Sequence, residues 1–283
     1  MTPFQALTVA VIQGATELFP VSSLGHAVVL PSLLGWNLDQ QGPGFLPFLV
    51  MLHVGTAAAL LAYFRRDWWA LFRSILGSGP EAHIRESRRL GWLVVIATIP
   101  AVIAGGALEH LLRRIFATPA LAAGFLVGNG ILLLAGEWLR ARSSTPRTGK
   151  SISALTRTDA LIIGVWQCLA LLPGLSRSGA TMVGGILRGV NHEGSAHFSF
   201  LIAFPIILAA TVLEIPKLVR SEVPAGTFEL AAICAVVSGV VAYASTALLM
   251  NYFKHNDRQA LAPFAIYCIL FGSVSLFVLR AGL

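Results

Sequence analysis

The sequence predicts an all-α polytopic membrane protein, an inverted repeat in which each half is a re-entrant helical hairpin followed by three transmembrane helices. Three observations lead there. Of 283 residues only 12% are charged and 56% are hydrophobic, with mean hydropathy +0.76. A soluble domain carries about 25% charged residues, so too little charge is present to coat a water-facing surface. Apolar runs long enough for a hydrocarbon core about 30 Å thick recur along the chain. Two further apolar regions are each broken by a polar elbow containing Pro and Gly.

The elements follow in order. Residues 4–19 and 27–34 flank an elbow with Pro20, Ser22, Ser23, Gly25 and His26. Each arm is too short to cross alone, and irregular backbone at membrane depth survives only where protein or a wet cavity covers it. The pair therefore reads as a hairpin. Spans are expected at 46–64, 92–108 and 121–139, apolar on all faces rather than on one stripe. A polar linker, 140–157, holds Arg140, Arg142, Arg147, Lys150 and Arg157. The second hairpin is 159–172 and 182–190, around Pro173, Gly174, Ser176, Arg177, Ser178, Gly179 and Thr181. Spans at 198–215, 228–250 and 260–279 complete the chain. The result is a single membrane domain over 1–283, with a first repeat at 1–139, a basic cytoplasmic linker at 140–157 and a second repeat at 158–283. Three crossings per half would turn the second copy upside down.

Charge sets the expected orientation. With 65–89 inside, fourteen of the twenty Lys and Arg fall on the cytoplasmic side and five outside, Arg177 belonging to an elbow. Both termini then lie outside. The formal charge of +7 comes from Arg in short gaps between apolar runs, which suits anionic lipid. No solvated basic domain exists for nucleic acid, so none is expected as a partner. Cys168, Cys234 and Cys268 lie within apolar stretches at spacings that fit neither zinc nor a disulfide framework. They read as small buried hydrophobes. The first basic residue is Arg65, so no cleavable signal peptide is expected.

The elbows carry the chemistry. Gln13 and Glu17, four apart, share a helix face just before Pro20. A carboxylate in an apolar segment costs several kcal/mol unless it is paired or functional. Ser22 or Ser23 would cap the following half-helix, placing His26 in its first turn within reach of Ser23. Glu, Ser and His together fit an activated nucleophile. The second elbow sets Arg177 between Ser176 and Ser178, with Thr181 beyond, at a helix N-terminus whose N–H groups and dipole favour an anion. A guanidinium there makes a phosphate cradle. A divalent cation, Mg²⁺ or Ca²⁺, would find Glu17 and Gln13 as its protein ligands and phosphate oxygens as the rest. His53 reads as a hydrogen-bonded packing residue. Glu109, Glu137 and Glu214 sit near helix ends within reach of water. Gly124 and Gly128 form a small-xxx-small pair suited to a tight helix contact, inside the chain or between subunits.

Two long strings carry a resemblance. Gln13-Gly-Ala-Thr-Glu-Leu-Phe-Pro-Val-Ser-Ser-Leu-Gly-His26 and Pro173-Gly-Leu-Ser-Arg-Ser-Gly-Ala-Thr181 resemble the two signatures of the undecaprenyl pyrophosphate phosphatases, the bacitracin-resistance phosphatases. Phe198-Ser-Phe-Leu-Ile-Ala-Phe-Pro205 resembles a third segment, and the likeness covers the chain in length and span order. It implies hydrolysis of the C55 isoprenyl diphosphate carrier to its monophosphate, recycling it for peptidoglycan synthesis and conferring bacitracin resistance. It also implies a divalent cation, a homodimer, and a bacterial inner-membrane location with the site open to the outer side. On the matching positions, Glu17, Ser23, His26 and Arg177 would be catalytic, with Gln13, Ser22, Ser176, Ser178 and Thr181 around the phosphates. Gln13 stands where many members have Glu. Cys268 follows Tyr267 where many have Arg, which removes a second phosphate-contacting Arg.

Ser23 is the favoured nucleophile, with metal-activated water and His26 as the other possibilities. The rival function is a transporter or flippase of a small anion or of the lipid carrier, since inverted repeats with broken helices are common there. A pure transporter does not need the Glu–Ser–His cluster.

Overall fold

The structure is a computed structural model. It describes residues 1–36, 38–40, 42, 44–116, 118–142, 149–220 and 226–281, except for the side chains of 46, 109–116, 214–220 and 227. The expected placements of Glu109 and Glu214 fall outside the described side chains.

The described residues form eleven α-helices: α1 Pro3–Thr16, α2 Ser23–Leu33, α3 Phe45–Tyr63, α4 Arg65–Ile75, α5 Glu81–Phe116, α6 Pro119–Arg142, α7 Arg157–Gln167, α8 Arg177–Leu187, α9 His192–Arg220, α10 Thr227–His255 and α11 Ala262–Ala281. No β-strand occurs among them; Lys150 and Val190 form an isolated bridge. Five helices are long and apolar enough to cross a membrane, and α3 with α4, bent by 78° at their junction, makes a sixth if counted as one span. The chain is thus a multi-pass, all-helical membrane protein.

Local sequence explains the broken segments. Thr2 caps α1 in a capping box with Gln5, and Pro3 fills the first turn, where no N–H is needed. After Glu17 the chain turns through Pro20 to Ser22, whose φ of +68° is unusual for a residue with a Cβ. The Ser22 hydroxyl accepts from Gly25 N–H and starts α2, so Ser23 is the first helical residue. The second elbow repeats the device. Ser176 accepts from Gly179 N–H, and Arg177 is the first residue of α8. Gly174 has φ +108°, and a Cβ there would lie 2.2 Å from the Ala122 carbonyl oxygen. Gly174→Ala is expected to destabilise the protein by about 2 kcal/mol or more through overpacking and strain. Thermal unfolding in detergent checks this against Gly106→Ala, where nothing lies within 4 Å of the added carbon.

The hairpins are wedged among the long helices. α1 packs on α10, α7 on α5, and both α2 and α8 on α6. Asn129 of α6 ties the two elbows together: its amide donates to the Pro20 carbonyl at 2.8 Å and accepts from Ser176 N–H at 2.9 Å.

Between the third helix and the next span lies α4, which presents Trp69, Phe72 and Ile75 on an exposed face, and α5 begins at Glu81. Three expectations need correction. Glu137 is buried rather than near water; it pairs with His192 at 2.8 Å and accepts from Leu261 N–H at 2.8 Å. Gly124 and Gly128 face open space, so the internal version of their contact fails; α6 meets α11 closely at Gly130 instead. Of the cysteines, Cys234 and Cys268 are buried, but Cys168 is only partly so.

Candidate active site

Where the elbows meet, a cavity of about 240 Å³ opens beside Glu17, Ser22, Ser23, Ser176 and Arg177. Glu17 follows the last turn of α1 and is buried. One carboxylate oxygen accepts from Arg177 at 3.1 Å. The other accepts from the Ser23 hydroxyl at 2.6 Å, from the Gln13 amide at 2.9 Å, and from His53 Nε2 at 3.2 Å. Arg177 reaches on to the Ser199 carbonyl at 3.2 Å. A buried charge needs this many partners, because desolvation alone would expel it. The N-termini of α2 and α8 add first-turn N–H groups and the positive ends of two helix dipoles.

Much of the remaining lining is apolar: Val50, Ala101, Leu171, Leu175, Ile206 and Ala210 come from α3, α5, α9 and the second elbow. The cavity therefore combines groups that suit an anion with a surface that suits a hydrocarbon.

The remaining expected residues lie outside the cavity lining. Ser178 donates to the Phe19 carbonyl at 3.0 Å, and Thr181 bonds to Arg177 O and the Ser199 hydroxyl at 2.8 and 2.7 Å. Ser178 thereby links the two elbows, while Thr181 ties α8 to α9. Gln13 is fully buried behind Glu17. His26 does not meet Ser23. Its Nδ1–H donates to the Ser22 carbonyl at 2.7 Å, one helical turn back, which leaves Nε2 to accept from the Tyr267 hydroxyl at 2.7 Å. The ring stacks on Phe271 with centroids 4.8 Å apart. His26 thus braces Ser22, the strained residue that caps α2.

The whole length of the chain has relatives. The family model for bacitracin resistance protein BacA matches residues 6–274. The chain belongs to the BacA family. A protein named undecaprenyl-diphosphatase from Granulibacter bethesdensis is 59% identical over 280 residues, covering 96% of this chain and 95% of the relative. Relatives of the same name from Gluconacetobacter diazotrophicus and Acidiphilium cryptum are 55% and 53% identical, over 99% and 100% of this chain and 98% and 100% of their own lengths.

In this BacA-family chain, His53 was expected only to pack and instead lies at the site, and Gln167 and Asn129 were not singled out in the sequence. His53 comes from α3 and lines the cavity. Gln167, at the end of α7, is buried there with its carbonyl oxygen unpartnered. Asn129 bridges the elbows from mid-span. Each is a polar residue inside an apolar run, the signal that singled out Glu17.

The side chains of the described residues, as arranged, do not form a divalent-cation site. Among the described residues no group of three or more His, Cys, Asp or Glu could hold one. Glu17 already serves four donors, and Gln13 turns its N–H to Glu17 while its Oε1 has no partner. The expected Glu17–Gln13 pair is not a ready cation site as arranged.

Proposed function

We propose that this chain is an undecaprenyl-diphosphatase that cleaves its lipid diphosphate in the elbow cavity, with Ser23 as nucleophile. The observation that carries the reading is the Ser23–Glu17–Arg177 chain. One carboxylate oxygen holds the hydroxyl at 2.6 Å while the other holds a guanidinium at 3.1 Å. It joins nucleophile, base and phosphate clamp from both halves of the molecule in a cavity with a largely apolar remaining lining.

Phosphoryl transfer is mostly positioning and charge stabilisation. Arg177 and the α2 and α8 N-termini grip the terminal phosphate. Ser23 Oγ attacks its phosphorus as the hydroxyl proton passes to Glu17. The anhydride P–O bond breaks, and its electrons leave with the lipid monophosphate. Water then attacks the phosphoseryl group, and Ser23 takes back the proton as inorganic phosphate leaves. The prenyl tail lies along Val50, Leu175 and Ile206. A divalent cation, if bound, would depend on phosphate oxygens rather than on Glu17 and Gln13 as they stand, and would offset phosphate charge.

The inverted repeat is part of this proposal. Packing supports it: α1 lies on α10 as α7 lies on α5, and α3 meets α10 as α9 meets α5. The mates α3 and α9 touch, as do α6 and α11. Inner-membrane residence, an outward-facing site and a homodimer also belong to the proposal.

The test is phosphate release from C55 diphosphate by purified protein in detergent. Steady release, with lipid monophosphate as the other product, is expected. Movement of lipid or anion across proteoliposomes without release would favour the transporter instead.

A further inference from the structure

We propose that His53 is the positioning residue that aims Glu17 at Ser23, an inference that rests on the reading of Glu17 as the base for Ser23. His53 is carried by a long helix, α3, that belongs to neither elbow. Its Nδ1 lies 2.7 Å from the Leu49 carbonyl one turn back, which can only accept, so this nitrogen carries a proton and the ring plane is set by its own helix. The other nitrogen lies 3.2 Å from Glu17 Oε2, the oxygen that holds the Ser23 hydroxyl; a carboxylate can only accept, so this nitrogen carries a proton as well and the ring is an imidazolium. Glu17 follows the end of α1, where its backbone alone leaves the carboxylate free to rotate. Arg177 fixes one oxygen; His53 and Gln13 fix the other from two sides. The side chain of His53 is 25% exposed against 6% for Glu17, so His53 walls the cavity side of the carboxylate.

Gln13 holds the same oxygen from behind, so among the residues that line the cavity His53 is the one that positions the Ser23-bearing oxygen. The charged groups lining the cavity beside it are Glu17 and Arg177; α5 and α9 bring Ala101, Ile206, Ile207 and Ala210 there. From α10, Cys234 joins the apolar cluster with Leu49 and Leu52 and does not line the cavity. The role asks for an N–H donor at a set reach. Glutamine supplies one at nearly the reach of Nε2. Asparagine is one methylene too short, and alanine has none.

The experiment compares His53→Gln, His53→Asn and His53→Ala in steady-state phosphate release from C55 diphosphate, each first checked for a monodisperse detergent profile. Losing a hydrogen bond to a charged group should lower kcat about 10- to 100-fold in the Ala and Asn variants, with KM moving less than about threefold. His53→Gln should recover kcat to within about threefold of the unsubstituted protein. The Asn–Gln contrast stands even if the Ala variant fails to fold. Unchanged kcat in the Ala or Asn variant overturns the proposal. So does a Gln variant as slow as Asn, since the imidazole would then act by itself rather than through Glu17. Failure of the underlying reading shows separately, as a Ser23→Ala protein that still turns over.

Discussion

Arg177→Ala is expected to lower kcat/KM for C55 diphosphate about 10³-fold, the scale at which a preorganised charge-stabilising donor acts. The guanidinium has two attachments, Glu17 at 3.1 Å and the Ser199 carbonyl at 3.2 Å, which fix its plane at the N-terminus of α8. A phosphate entering beside it meets donors already aimed, with little reorganisation left to do. The substitution removes the clamp and takes a cation from a buried carboxylate, so the variant should also unfold at lower temperature. Arg177→Lys should recover little, because one ammonium cannot reproduce the planar fork that spans Glu17 and Ser199. Steady-state phosphate release with thermal unfolding of the same preparations measures both effects. Full activity in the alanine variant would remove Arg177 from the site.

Replacing Ser23 by alanine should have the larger effect, about 10⁴-fold or more on kcat, as expected for loss of a nucleophile. Its neighbour provides the contrast. Ser22 and Ser23 are adjacent, hydroxyl-bearing and both line the cavity. The Ser22 hydroxyl accepts from Gly25 N–H, whereas the Ser23 hydroxyl donates a hydrogen bond to Glu17 at 2.6 Å. Ser22→Ala removes a helix cap, a loss of about 1 kcal/mol, and should slow turnover by no more than about tenfold. Rates for the two variants on the same lipid substrate separate the roles. Equal losses would mean that neither hydroxyl is the nucleophile and that the elbow acts only as a scaffold.

Much of this was legible in the chain because membranes make polar residues conspicuous. The elbows stood out as Pro, Gly and Ser clusters between apolar arms too short to cross. Glu17 and Arg177 stood out because an unpaired charge at that depth is costly. Their pairing follows from the same cost: each is the other's cheapest partner. Lost in the sequence was whatever depends on side-chain direction after packing. Ser23 and His26 have the right spacing to meet, but the His26 ring turns back to the Ser22 carbonyl and across to Tyr267 on α11, 241 positions away. His53 sits in a run so apolar that packing was the natural reading, and only the meeting of α3 with the elbows shows its neighbour. Asn129 is hidden in the same way. The Glu137–His192 pair joins two helix ends that sequence distance separates by 55 positions.

The most direct measurement is an acid quench of the purified protein in its first turnover with C55 diphosphate labelled in the terminal phosphate, followed by mapping of the label. The account predicts acid-stable label on the peptide that holds Ser23, appearing with the lipid monophosphate and absent from the Ser23→Ala variant. Label that passes straight to free phosphate, at an undiminished rate in Ser23→Ala, would contradict it.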